Sequence, residues 1–260
     1  MPELPDVEYL REYAQATSLH REIVHTSLDE QRLLADTSMQ LLARRLKGGS
    51  FTAATRHGKH LFLTLAGAGG ALMFHFGMTG TLRAYDRTEE PEYARLTLSF
   101  ADGGHLAYVT RRMLGQIAIV DGVDAYVEDH RLGPDALSVS IHRFESVVRG
   151  GRGAIKSTMM NQKRLAGLGS LYTDEILFQA GIDPRRACSS IDDEELATIH
   201  AKTGEVCRTA IDAHADPHRL PERYLIRRRS PGASCPGCGG PVTRVTLSGR
   251  STYLCRRCQR

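Results

Sequence analysis

Apolar positions at the start of the chain recur with a helical period. In residues 5–19, Val7, Leu10 and Ala14 share one face while Glu8, Arg11 and Glu12 lie off it, which predicts an amphipathic helix. The pattern then changes to short apolar, β-branched and aromatic runs at residues 51–55, 61–65, 71–76, 96–100, 106–109 and 116–120. Turn-forming clusters separate them, at residues 67–70, at Asp102-Gly103-Gly104 and at Asp121-Gly122. Strands punctuated in this way predict an antiparallel β domain, a sandwich or a barrel, behind the helix.

Near Gly133-Pro134-Asp135 the period becomes helical again. Residues 140–149, 173–180 and 192–212 read as helices, the second stopped by Gly181 and Pro184. The third opens on Asp192 with Glu195 three residues later, the spacing of a capping box with Asp in place of Ser or Thr. Leu196, Ile199, Val206 and Ala210 give it an apolar face. Asp216-Pro217 and Ser230-Pro231-Gly232 punctuate the chain after it. The fold class expected is α+β and multidomain.

Composition narrows the partners. With 41% hydrophobic and 25% charged residues, the chain has the make-up of an ordinary globular protein. No stretch nears the roughly 18 apolar residues that a bilayer span requires. The start, Met1-Pro2-Glu3-Leu4-Pro5-Asp6, lacks the layout of a signal peptide. A cytoplasmic protein with no membrane partner is expected, at the nucleoid in a bacterial cell. Net charge is +4 but unevenly spread. Residues 217–260 hold ten Arg, no Lys and one acid, Glu222, a local +9 that leaves −5 for residues 1–216. A basic tail meets a polyanion or forms a solvated surface. The run Arg227-Arg228-Arg229, just ahead of a cysteine motif, favours nucleic acid.

That motif is Cys235-x2-Cys238 followed, after sixteen residues, by Cys255-x2-Cys258. The spacing is that of a structural zinc site. Each pair presents two thiolates from a tight knuckle, and residues 242–247 and 252–254 can form the hairpin between them. Four sulfurs complete a tetrahedron with no open position, so one structural zinc ion is expected. Two disulfides are the competing reading, and a reducing cytosol opposes it. Cys188 and Cys207 stand apart and read as small buried hydrophobes.

The other end of the chain carries a second signal. With Met1 removed, Pro2 presents a secondary amine. An α-amino group titrates near pH 8, about two units below Lys, so a usable neutral fraction exists at pH 7. Such an amine can attack an electrophilic carbon and form a Schiff base. Glu3 beside it can serve as acid or base. The plain alternative is that Pro2 and Pro5 stiffen a chain end and introduce a helix.

Several motifs, in order along the whole chain, favour the chemical reading. They are Met1-Pro2-Glu3-Leu4-Pro5-Asp6-Val7-Glu8, Arg56-His57-Gly58-Lys59-His60-Leu61 and His75-Phe76-Gly77-Met78-Thr79-Gly80. Then come Gly167-Leu168-Gly169-Ser170-Leu171-Tyr172, Asp174-Glu175-Ile176-Leu177-Phe178 and Arg250-Ser251-Thr252-Tyr253-Leu254-Cys255. Together they resemble the formamidopyrimidine-DNA glycosylase/endonuclease VIII family, and Leu4 favours its formamidopyrimidine-type branch. The resemblance implies an N-terminal catalytic β-sandwich domain at residues 1–132. It implies a helix–two-turn–helix DNA-binding domain at 133–228 and a zinc finger at 229–260.

It also implies a base-excision-repair enzyme, a DNA glycosylase with AP lyase activity. Its partner is duplex DNA containing oxidised bases, such as 8-oxoguanine or formamidopyrimidine, or abasic sites. A protein that bends duplex around a two-domain cleft needs no second copy, so a monomer is expected. The damaged nucleotide is flipped out of the helix. Pro2 attacks the sugar C1′ and displaces the base, Glu3 protonates the ring oxygen, and β- and δ-elimination follow from the Schiff base. The resemblance makes Lys59 and Arg250 grips on the lesion's phosphates within the catalytic set, with Lys156 and Ser170 as further DNA contacts. Met78, Arg112 and Leu114 fill the gap left by the extruded nucleotide. Asp6 supports the catalytic residues from behind.

The chain departs from the family pattern at several points. Ser170 stands for Asn, Asp6 for Glu, Asn161 for Asp, and Thr110-Arg111-Arg112-Met113-Leu114 for Asp-Pro-Arg-Arg-Phe. The stretch at residues 214–229 is short for a loop that caps 8-oxoguanine. These departures bear on substrate choice more than on reaction type. Ser170 and Asp6 also motivate an alternative, a non-catalytic protein of this fold that binds damaged or abasic DNA.

Overall fold

The computed structural model describes residues 1–67, 69–86 and 89–260. The chain packs as two compact units, Met1–Pro2 with Asp6–His130 and Glu3–Pro5 with Arg131–Arg260.

The chain begins with helix α1 (Leu4–Ser18), β1 (Ile23–Leu28), α2 (Met39–Leu46), β2 (Phe51–His57), β3 (His60–Leu65) and β4 (Ala71–His75). It continues through β5 (Thr81–Tyr85), β6 (Ala94–Phe100), β7 (His105–Val109), β8 (Gln116–Val120) and α3 (Val123–Asp129). The strands form two antiparallel four-stranded sheets, ordered β1-β6-β7-β5 and β2-β3-β4-β8. Both sheets feed one core. Leu61, Leu63, Leu72 and Phe74 enter it from one sheet, and Leu96, Leu98, Leu106 and Tyr108 from the other. Val7, Leu10 and Ala14 of α1 join them, so the expected amphipathic face is the buried one. Two sheets over one core make a sandwich, which decides between the two β architectures. Strands β3 and β4 are buried almost throughout, which is why they read as unbroken apolar runs. Strands β1 and β5 lie outside the expected segments. Both are edge strands with few buried positions, so they carry little apolar signal.

The second unit contains α4 (Ile141–Arg149), α5 (Ile155–Met159), α6 (Ser170–Gln179), α7 (Asp193–Asp212), β9 (Thr243–Leu247) and β10 (Arg250–Leu254). Phe144, Val148, Ile155, Met159, Ile176, Leu177, Ile199 and Val206 form its core, together with Leu4. The capping box at Asp192 and Glu195 is formed in both directions. Helix α6 has every residue from Tyr172 to Phe178 buried, polar ones included. The β9–β10 hairpin turns through Ser248 and Gly249, both at positive φ (49° and 72°), the backbone that two-residue hairpin loops favour. Phe178 and Leu225 pack against Cys235, Val242 and Cys255 and tie the hairpin to α6. Among the described residues no helix is long and apolar enough to cross a membrane.

Candidate active site and nucleic-acid interface

The N-cap of helix α6 is Gly169, which offers no capping side chain. The cap comes from far away in sequence. Glu3 is 3% exposed, and its carboxylate accepts N–H from Gly169 (2.8 Å), Leu171 (2.9 Å) and Tyr172 (3.2 Å). An anion at a helix N-terminus answers both the unsatisfied amides and the helix dipole. The backbone fits it closely: a Cβ at Gly169 would run into the Glu3 carboxylate, and Gly167, at φ +113°, passes Leu4. The Leu4 N–H donates to the Gly167 carbonyl at 2.9 Å. Glu3 is therefore fixed in position and direction. Pro2 precedes it, half-buried, and Asp6 sits half-buried in the first turn of α1.

The same helix turn holds the zinc-finger strand. Lys156, 1% exposed, donates from Nζ to Asp174 (2.5 Å), Thr252 Oγ1 (2.8 Å) and Ser170 Oγ (2.9 Å). The Ser170 hydroxyl in turn donates to the Ser251 carbonyl at 2.9 Å. Burial pushes the Lys156 ammonium below its ordinary range, and the Asp174 carboxylate opposes that. Burial pushes Asp174 upward, and Lys156 and then Arg229 pull it back. Lys156 and Ser170, expected as DNA contacts, thus have their polar atoms engaged inside the protein. Arg250 is exposed at the start of β10. It lines a cavity of about 190 Å³ with Lys156, Ser157, Met160, Asn161, Leu247 and Ser248. Ser157 and Ser248 share a hydrogen bond at 2.8 Å across that opening. The exposed Arg250 guanidinium gives this cavity the chemistry of a phosphate seat.

Cys235, Cys238, Cys255 and Cys258 converge, with their sulfurs all within 4.8 Å of one another. Cys235 and Cys258 sulfurs lie 3.7 Å apart and those of Cys238 and Cys255 3.5 Å. A regular tetrahedron with Zn–S bonds of ~2.3 Å separates its sulfurs by about 3.8 Å, so the four residues fit one structural zinc ion. The knuckles are supported by Gly237 N–H donating to Cys235 sulfur and by the Gln259 side chain accepting from Cys255 N–H.

In the first unit, Lys59 sits in the two-residue turn between β2 and β3, after Gly58 at φ +57°. It is 6% exposed. Arg56 braces this turn by donating to the Gly58 carbonyl at 3.0 Å and to Glu8 of α1 at 2.7 Å. The pairing of Arg56 with Glu8 leaves no local pattern in the sequence, because the partners stand 48 residues apart. Two neighbouring histidines are shifted away from carrying charge. Burial, then His75, drives His60 down to about pH 3, and burial, then Lys59, lowers His75.

Met78 (41% exposed) and Leu114 (53%) are two of the few large apolar side chains left in solvent. Their loops touch: Gly77, at φ +59°, has no room for a Cβ against the Leu114 carbonyl. Behind them, Thr110 N–H donates to Tyr93 O, Arg95 donates to Thr110 O at 3.3 Å, and the Arg111 guanidinium lies 4.9 Å from the Tyr93 ring centre. Arg112 is exposed beside them. Two solvent-facing apolar tips on braced loops have the form of a wedge. A cavity of about 360 Å³ elsewhere on this unit is lined by Asp36, Asp121 and Asp129 and holds none of the expected site residues.

A glutamate-capped helix, a finger-borne arginine and a tetrathiolate site define a zinc-finger protein of the helix–two-turn–helix class. Family models agree in all three parts. The formamidopyrimidine-DNA glycosylase N-terminal domain matches residues 1–117, that family's H2TH domain residues 132–220, and a zinc finger found in FPG and IleRS residues 234–260. The chain is 31% identical over 270 residues to a formamidopyrimidine-DNA glycosylase from Solibacter usitatus, covering 100% of both. It is 32% identical over 272 residues to one from Pelobacter propionicus, again at 100% of both. A Lactococcus lactis formamidopyrimidine-DNA glycosylase bound to DNA containing an abasic site superposes with a TM-score of 0.89, at 25% identity and 99% coverage of both chains. The chain belongs to the formamidopyrimidine-DNA glycosylase family.

Proposed function

We propose that the chain is a bifunctional DNA glycosylase and AP lyase that removes oxidised bases from duplex DNA through a Schiff base on Pro2. The carrying observation is the seating of Glu3. Three backbone amides and a glycine without room for a side chain hold the carboxylate one residue after the nucleophile. Removal of Met1 frees the Pro2 nitrogen as an amine. The amine attacks C1′ of the extruded nucleotide, the C1′–N bond to the damaged base breaks, and the base leaves with a proton. The Glu3 carboxylate takes the N–H proton that Pro2 gives up and passes it to the sugar ring oxygen as the ring opens, and water supplies the proton that leaves with the base. The iminium then withdraws electrons so that the 3′ and next the 5′ phosphate depart by elimination. Lys59 and Arg250 grip phosphate without reading sequence. Met78, Arg112 and Leu114 occupy the gap in the stack, offsetting an unstacking cost of a few kcal/mol. The protein acts as a monomer in the cytoplasm, at the nucleoid.

Strand cleavage on duplexes carrying 8-oxoguanine, formamidopyrimidine or an abasic site, with borohydride added to trap the imine, tests the reading. Cleavage and a trapped adduct are expected, with both reduced at least about tenfold in Pro2→Gly. Tight binding without cleavage or adduct would establish instead the non-catalytic damage binder.

A further inference from the structure

The arginine run ahead of the finger divides in the structure. Arg227 and Arg228 are exposed, but the Arg229 side chain is only 16% exposed and turns inward. Its Nη1 lies 2.9 Å from Asp174 Oδ2 and donates to the carbonyls of Ser170 and Leu171 at 3.3 Å each. Its guanidinium carbon lies 4.7 Å from the centre of the Tyr253 ring on β10. Asp174 is thus placed between two cations, and its Oδ2 also accepts the Tyr253 N–H at 3.0 Å. Stacking on a ring while bridging a carboxylate and two carbonyls is work for a planar guanidinium, not for an ammonium. A side chain so committed is not a phosphate reader.

The position of this lock gives it a role. The first turn of α6 holds Glu3 by its amides and holds β10 by Ser170 and Asp174. Arg250 is the first residue of β10, directly ahead of the Ser251 carbonyl that Ser170 grips. One helical turn therefore sets where the Arg250 strand lies relative to the Glu3 carboxylate, and Arg229 closes that turn from the solvent side. We propose that Arg229 is a positioning residue for strand cleavage at the lesion: through the Lys156–Asp174–Arg229 lock it holds the Arg250 strand in register with the helix turn that holds Glu3. The inference rests on the excision reading above, since rate is its first readout.

The test is a double-mutant cycle on the mature, zinc-loaded chain, measuring single-turnover cleavage and equilibrium affinity on an abasic-site duplex. Arg229→Met is expected to slow cleavage on the order of 10- to 100-fold, the scale of a small misplacement of catalytic groups, with a smaller change in affinity. Arg229→Lys recovers only part of that loss. With Arg250→Ala already present, Arg229→Met costs less than about threefold more, because it acts through Arg250. An unchanged rate in Arg229→Met, or a full-sized loss in the Arg250→Ala background, overturns the proposal. If Arg229→Met fails to retain zinc, Asp174→Asn takes its place, with the same non-additivity expected. If the wild-type chain binds but does not cut, the excision reading fails on its own. The cycle is then read in affinity: a loss on the order of tenfold that needs Arg250 supports the lock, and an additive loss refutes it.

Discussion

The two units treat charge differently. The first buries Lys59, with Glu8 and Arg56 close by, and sets its remaining chemistry on loops over an apolar sandwich core. The second buries Glu3, Asp135, Lys156, Asp174, Glu175 and Asp183 among short helices and a zinc hairpin. A sandwich core is large enough to hold its fold with apolar contacts alone, so its working residues can be exposed tips. A unit assembled from short helices and a small finger has less apolar area to share, and it joins its parts with buried polar networks. In the first unit, function and stability should separate under mutation. In the second they should move together.

Zinc removal should break the second unit most severely. Structural zinc sites carry apparent free energies of about 10–16 kcal/mol at pH 7, so chelation should abolish binding to lesion duplex. Calorimetry should show the transition of the second unit lost and that of the sandwich kept. Next in size is Asp174→Ala, which leaves Lys156 and Arg229 facing each other without their shared carboxylate. Denaturant titration should show a loss of about 3–5 kcal/mol, and a loss under 1 kcal/mol contradicts the buried network.

Glu175 gives a smaller, pH-dependent effect. Burial raises its pKa from 4.5 to about 7, against hydrogen bonds from Gln179 and Ile226. A raised pKa means that the fold prefers the protonated form. Its stabilising contribution is full below about pH 4.5 and is lost as pH rises through about 7, up to about 3 kcal/mol in all. Glu175→Gln, which mimics the neutral acid, should flatten the stability curve between pH 5 and 7.5 and be the more stable protein at the upper end. Parallel curves for the two proteins would contradict this. The smallest stability effect belongs to the first unit. Leu114→Ala should change stability by less than about 0.5 kcal/mol, because the side chain is already in solvent. It should still slow excision on the order of tenfold in single-turnover assays. Comparable losses in both would erase the contrast between the units.

How much was legible follows from where each feature's signal lies. The zinc ligands, the capping box at Asp192 and the apolar face of α1 are local patterns, and the structure forms all three. Helix α6 starts three residues earlier than its expected start at Thr173, because its cap is Glu3, 166 residues away from Gly169. Strands β1 and β5 had too few buried positions to stand out. Charge counting set Arg227, Arg228 and Arg229 together as polyanion contacts, whereas packing turns Arg229 into the protein. Long-range pairs such as Glu8 with Arg56 leave no periodic trace. The resemblance at Pro2, Glu3, Lys59 and Arg250 supplied chemistry that periodicity could not.

The central claim is that the nitrogen of Pro2 is the nucleophile. Borohydride trapping of the mature protein on an abasic-site duplex, followed by mass spectrometry of the digested adduct, measures this directly. The account predicts an N-terminus lacking Met1 and a reduced deoxyribose adduct on the peptide that begins with Pro2. An adduct on Lys59 or Lys156 instead, or none at all from protein shown to have lost Met1, would contradict it.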